Sequence, residues 1–203
     1  MHDLRTLSRL ALAAHEPILV DGEGRVPAAV LLLLYAHGGR EHVLFQVRTQ
    51  LVLHHKGEIG LPGGRRDPED ASLEATALRE THEEIGVDPA HVQMLGRLDD
   101  VATLSSNYAI TPFVGAITRP GAYPFRTARR EVSELLQVPL DHLRGEDAVE
   151  WAVRDVEGER IAERSFRYGE HLIWGATARM VGQYLDLLSE AERGQRRYEG
   201  ARP

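Results

Sequence analysis

Residues 58–86, EIGLPGGRRDPEDASLEATALRETHEEIG, read in order as a short strand, a glycine turn, a loop and a helix. This succession constrains the fold more than any other feature, because the turn brings strand backbone close to the start of the helix. Residues 71–85 carry the helical pattern. Gly86 closes it in the C-terminal position that glycine favours, and Pro68 and Asp70 lie in the loop before it. At about 100° per residue, Ala77, Leu78, Thr81 and Ile85 share one flank, with Glu80 and Glu84 beside it.

The rest of the chain alternates strands and helices. Residues 4–15 predict an N-terminal helix. The apolar run AAVLLLLYAH, the turn GGRE and the segment HVLFQVR predict a hairpin. Further strands are expected at 92–102, 108–118, 132–138 and 148–154, with strand character in RSFRYGEHLIW. GATARMVGQYLDLLSEAE reads as an amphipathic helix. The expected class is α/β (α+β) with a mixed sheet. One domain is expected over 1–203, with its core at about 26–190 and a charged, mobile tail at 191–203. The absence of cysteine excludes a disulfide framework, a cysteine-zinc site and a cysteine nucleophile. A net charge of −7 argues against broad nucleic-acid binding, although a local cation can invert the field at one site. No secretory signal is evident, and the run from Ala28 to Ala36 is far shorter than the roughly 20 residues of a membrane span. The expectation is a cytoplasmic protein.

RETHEEIG, Arg79 to Gly86, sets Glu80, Glu83 and Glu84 within five residues. Glu80 and Glu84 stack on one helix face, and Glu83 lies on the adjoining side. Without a cation each like-charged pair costs roughly a few tenths of a kcal/mol. With Mg2+ or Mn2+ the three become a hard-oxygen ligand set of the kind that bridges phosphates. From these eight residues alone, a solvated acidic face is the alternative.

The longer stretch GGRRDPEDASLEATALRETHEEIGV resembles the Nudix box: Gly, five residues, Glu, seven residues, Arg-Glu, an apolar residue, any residue, Glu-Glu, any residue, Gly and an apolar residue. Arg79-Glu80, Glu83-Glu84, Gly86 and Val87 match, while Thr81 fills a place where an aliphatic residue is commoner. Gly64 to Asp70 has the spacing to the first acid. Asp70 to Arg79 is one residue too long, and counting back from Arg79 reaches Ala71. The loop is therefore one residue longer than the pattern, with either Glu69 or Asp70 in place of the first acid.

Upstream, RTQLVLHHKGEIGLPGG resembles a second motif, found before the box in coenzyme A pyrophosphatases. Arg48, His55, Gly57, Pro62, Gly63 and Gly64 fall in register. Leu53 stands where that motif has a basic residue. The long loop, and the segments SSNYAITPFVGAI, EVSELLQVPLDHL and IWGATARM, resemble the same subgroup.

The resemblance implies a Nudix fold, a mixed sheet sandwiched between helices, and hydrolysis of the diphosphate in coenzyme A or its derivatives. Glu80 and Glu84 are the expected ligands of Mg2+ or Mn2+, with Glu83 as a further ligand or a base acting through water. A later carboxylate, Glu131 or Glu134, is a candidate addition. Arg79 is expected to orient a metal-binding glutamate. Arg48, Arg65 and Arg66 are candidates for phosphate binding or solvent-facing cations, and Gly63 and Gly64 for close backbone approach to substrate. His54 and His55 point oppositely if extended, so they form no metal pair, and His55 is expected to line the substrate. Trp151, Trp174 and Tyr108 are expected in the core, with stacking on adenine as the alternative. Related enzymes are often homodimers.

Overall fold

The computed structural model describes residues 3–22, 24–49, 57–103, 106–156 and 159–200. Leu53, His54 and His55 lie outside these residues. Helix α1 (Leu4–Ala14) precedes strands β1 (Val26–His37), β2 (Arg40–Arg48), β3 (Ile59–Gly60) and β4 (Gly63–Arg65). Helix α2 (Leu73–Ile85) follows, then β5 (Val92–Arg97), β6 (Val101–Ala102), β7 (Tyr108–Ile117) and β8 (Val132–Pro139). A single turn, α3 (Leu140–Leu143), leads into β9 (Val149–Val156), β10 (Glu159–Tyr168), β11 (His171–Ile173) and α4 (Gly175–Gly200).

The predicted hairpin is present. Gly38 and Gly39 both take positive φ, at 58° and 76°, as a two-residue turn between twisted strands requires. Strand β1 is the centre of the main sheet, paired antiparallel with β2 and parallel with β7. Its leucines divide by the two-residue period of a strand. Leu32 and Leu34 enter the core beneath α1 and α4, while Leu31 and Leu33 enter the core beneath α2, and all four are fully buried. The continuous apolar run is thus the mark of a strand covered on both faces. A separate antiparallel sheet, in the order β11-β10-β9, extends the molecule beside α4.

Beyond Leu34 and Val43 the two hairpin strands diverge, and residues 59–65 fill the gap. Ile59 and Gly60 pair with β2, and Gly63–Arg65 pair with β1. The GGR segment is therefore a strand where the sequence predicts only a turn. Residues 92–102 form two strands rather than one, and α4 continues helically through 191–200, past the predicted end of the core. No helix among the described residues is long and apolar enough to cross a membrane.

Candidate active site

Helix α2 starts and stops where its caps dictate. The Ser72 hydroxyl accepts from the Ala75 N–H, and Gly86 ends the helix in the left-handed conformation, φ 73°, donating to His82 O. Two further C-terminal carbonyls are met from a distant loop. Arg126 N donates to Ile85 O at 3.1 Å, and Ala128 N to Glu84 O at 2.8 Å. The same loop turns back through Glu131, whose carbonyl accepts from Thr49 N. A bulge between β2 and β8 at Val47 and Arg48 accompanies that turn.

Of the two candidate loop acids, Asp70 is the one that meets Arg79. It is buried and makes two bonds of 2.9 Å with the Arg79 guanidinium, while Glu69 is exposed. Hydrogen bonds from Arg79, and after them the Asp67 N–H and the Thr76 hydroxyl, hold its carboxyl well below the usual range despite burial. Arg79 is correspondingly held protonated, Asp70 being the main cause. Its Nη1 donates to Glu80 at 2.9 Å and to Glu83 at 3.2 Å, and its Nη2 to Arg65 O at 3.3 Å. One guanidinium thus joins the loop acid to two of the three glutamates.

Glu84 is 3% exposed, and its Oε2 accepts from Gly63 N at 2.9 Å. Burial pushes its carboxyl up to about 7, against the opposing pull of a Gln46 hydrogen bond, the Gly63 N–H and Arg48. Glu80 is raised too, first by burial; Arg79 opposes this, and Glu83 and Glu131 add to it. Gly64 faces the Glu80 carboxylate so closely that a Cβ there would lie 2.6 Å from Cδ. Gly63, at φ 148°, presses against β1, where a Cβ would come within 2.3 Å of Ala29 O. Arg48 Nη1 stands 3.9 Å from Glu84 Oε1, and its Nε is buried without a partner among the described residues.

Glu80, Glu83, Glu84, Arg79, Gly63, Gly64 and Arg48 therefore gather at one place. Arg65 adjoins them through its carbonyl, and Arg66 Nη2 is turned onto Asp70 O at 3.1 Å. Glu131 acts on Glu80, whereas Glu134 faces His171 Nε2 at 3.7 Å. Among the described residues no three acidic or histidine side chains converge as a metal cluster. Arg79 is bonded to Glu80 and Glu83, and Glu84 is turned onto Gly63. The donor set still suits a hard divalent ion: carboxylates on one helical turn, two of them raised by a burial that a bound cation would offset. The core expectation fails for Trp151, 65% exposed, and Trp174, 38% exposed, while Tyr108 is half-buried. Gln46 and the backbone of Arg126 and Ala128 carry no sequence signal that ties them to the helix.

A NUDIX domain model matches residues 25–151. The chain belongs to the Nudix family. It is 33% identical over 156 residues to an uncharacterized Nudix hydrolase, NudL, of Photorhabdus laumondii, covering 77% of this chain and 81% of the relative. It is 29% identical over 205 residues to Nudix hydrolase 3 of Caenorhabditis elegans, covering 92% and 83%. A MutT/nudix family protein from Enterococcus faecalis shares the fold, with a TM-score of 0.56 at 15% identity, over 93% of this chain and 70% of that one. The chain is a Nudix hydrolase, a pyrophosphohydrolase that acts on phosphorus-containing anhydrides of nucleoside diphosphate derivatives.

Proposed function

We propose that this Nudix hydrolase cleaves the diphosphate of coenzyme A or its derivatives to 3′,5′-ADP and 4′-phosphopantetheine, using Mg2+ or Mn2+. The observation that carries the reading is the meeting of two motifs at Glu84. Gly63 and Arg48, from the segment that resembles the coenzyme A subgroup, both touch this glutamate of the box.

Glu80, Glu83 and Glu84 would hold the cation, which when bound neutralises phosphate charge and lowers the pKa of a water. Arg79, anchored on Asp70, orients Glu80 and Glu83. Glu83 is exposed and can take a proton from a water. The Arg48 guanidinium, on a side chain 31% exposed, offers its terminal N–H groups to a phosphate oxygen, and Arg65 supplies a second cation at the rim. Gly64 leaves room for the Glu80 carboxylate, and Gly63 lets the backbone lie against β1 with its N–H on Glu84.

A second reading keeps the chemistry and changes the substrate to ADP-ribose, a dinucleotide or a modified nucleoside triphosphate. Leu53, lacking the charge of the subgroup motif, favours it. A noncatalytic ligand sensor is disfavoured by the retention of all three glutamates, and isomerisation through a nucleophilic cysteine by the lack of any cysteine. Turnover of coenzyme A, ADP-ribose and NADH by one preparation, with products identified by mass spectrometry, separates the first two. Coenzyme A should be cleaved with the highest kcat/KM, and preference for another substrate overturns the assignment.

A further inference from the structure

Both tryptophans of the chain open onto one groove of about 830 Å3, between α4 and the β9–β10 ribbon. Trp151 projects from β9, and Trp174 stands in the turn that starts α4. Indoles left this open to water on a hydrolase mark a contact surface better than they mark a core.

The groove is built rather than incidental. Arg164, the cross-strand neighbour of Trp151, makes two bonds to Asp186 of α4, at 3.1 and 2.9 Å. Its guanidinium fills the notch left by Gly182, where a Cβ would come within 2.2 Å of Nη2. The first turn of α4 is tied to the main sheet by Thr177 Oγ1, which donates to Ile59 O at 3.2 Å. A flat cation and two aromatic planes are thereby presented in one concavity.

Ile59 also connects the groove to the glutamates. It lies on the groove wall, and Gly63, which holds Glu84, is four residues further on. That separation is at most about 14 Å of extended chain, so the near wall of the groove, though not the indoles themselves, lies within that distance of the residue that holds Glu84. Glu58, on the same wall, is bonded through its carbonyl to the backbone N–H of Arg48.

We propose that the groove receives the nucleobase of the substrate, stacked on the indoles, while the diphosphate lies at the glutamates. This rests on the hydrolase reading above, and it specifies where a planar base is recognised. Stacking suits that task because every base presents a π face.

Intrinsic fluorescence reads the groove directly, since the chain has no tryptophan elsewhere. The full chain, without divalent cation, is titrated separately with AMP, ribose 5-phosphate and pantetheine. AMP should quench saturably and the other two should not. Trp151→Ala should weaken AMP binding about tenfold and raise KM for the best diphosphate substrate to a similar degree, with kcat changed less than about twofold. Trp151→Phe, which keeps a ring, should retain most of the affinity. Absence of an AMP response, an equal response to ribose 5-phosphate, a response to pantetheine instead, or an unchanged KM in Trp151→Ala each overturns the assignment. AMP binding is read without cleavage. An active enzyme that ignores AMP refutes the groove alone, and AMP binding by a chain that cleaves no diphosphate refutes the hydrolytic reading alone.

Discussion

Gly64→Ala isolates the positioning of one carboxylate from the stability of the fold. Gly64 has no positive φ, so alanine meets no backbone strain there. The new Cβ would lie 2.6 Å from Glu80 Cδ and 2.7 Å from both carboxylate oxygens. To reach an ordinary contact of 3.4 Å the carboxylate must withdraw by about 0.8 Å. It sits at the end of a flexible side chain, so it can move, but the 2.9 Å bond from Arg79 moves or breaks with it. A misplacement of about 1 Å at a reacting centre costs on the order of 100-fold in rate, or about 2.7 kcal/mol of transition-state stabilisation. The expected result is a kcat/KM down by about two orders of magnitude, with a melting temperature within a few degrees of the parent. Gly63→Ala is the control. Its Cβ meets the β1 backbone at 2.3 Å, which cannot yield, so it should cost about 3 kcal/mol of stability. A Gly64→Ala enzyme of parental activity, or one that loses activity only by melting, refutes the contact between Gly64 and Glu80 as a determinant of catalysis.

Other expectations concern charge and packing. Burial raises the Glu84 carboxyl to about 7, so between about pH 4.5 and 7 the unfolded chain has lost a proton that the folded one keeps, and the metal-free protein should lose stability as pH rises through that window. Cation binding expels that proton, so the apparent affinity for Mn2+, followed by calorimetry, should strengthen with pH up to about 7 and then level off; a flat profile counts against Glu84 as a ligand. Asp70→Asn removes the buried carboxylate that takes two of the Arg79 hydrogen bonds and should cost about 2–4 kcal/mol in urea unfolding, together with most of the activity. Leu32→Ala empties a fully buried position in the central strand and should cost about 2–5 kcal/mol while the surviving folded enzyme keeps its KM.

What the sequence made legible was local and chemical. An apolar run with a two-glycine turn after it specifies a hairpin, and Ser72 and Gly86 bound the helix within a residue or two of the pattern. Three carboxylates at helical spacing declare themselves because that spacing fixes which face they share. The features that escaped depend on partners distant in the chain. Gly63–Arg65 looks like a turn until β1, more than thirty residues earlier, supplies its hydrogen bonds. The choice of Asp70 over Glu69 depends on which side chain the loop turns toward Arg79, a matter of conformation that spacing does not encode. Trp151 sits at a strand position that alternation alone would bury, but β9 is flanked by β10 on one side only among the described strands, and its face opens onto the groove. Glu131 and Glu134 are alike in sequence, yet Glu131 precedes β8 and acts on Glu80 while Glu134 lies within the strand and faces His171.

The most direct measurement combines Mn2+ binding, followed by electron paramagnetic resonance of the free ion, with turnover of the preferred diphosphate in the parent and in Glu84→Gln. The parent should take up the ion and cleave. The variant, with its fold unchanged by circular dichroism, should bind Mn2+ at least tenfold more weakly and turn over at least a hundredfold more slowly, as expected when one carboxylate ligand is removed. Equal ion uptake and near-parental turnover in Glu84→Gln would contradict the assignment of this helical turn as the cation-binding heart of the enzyme.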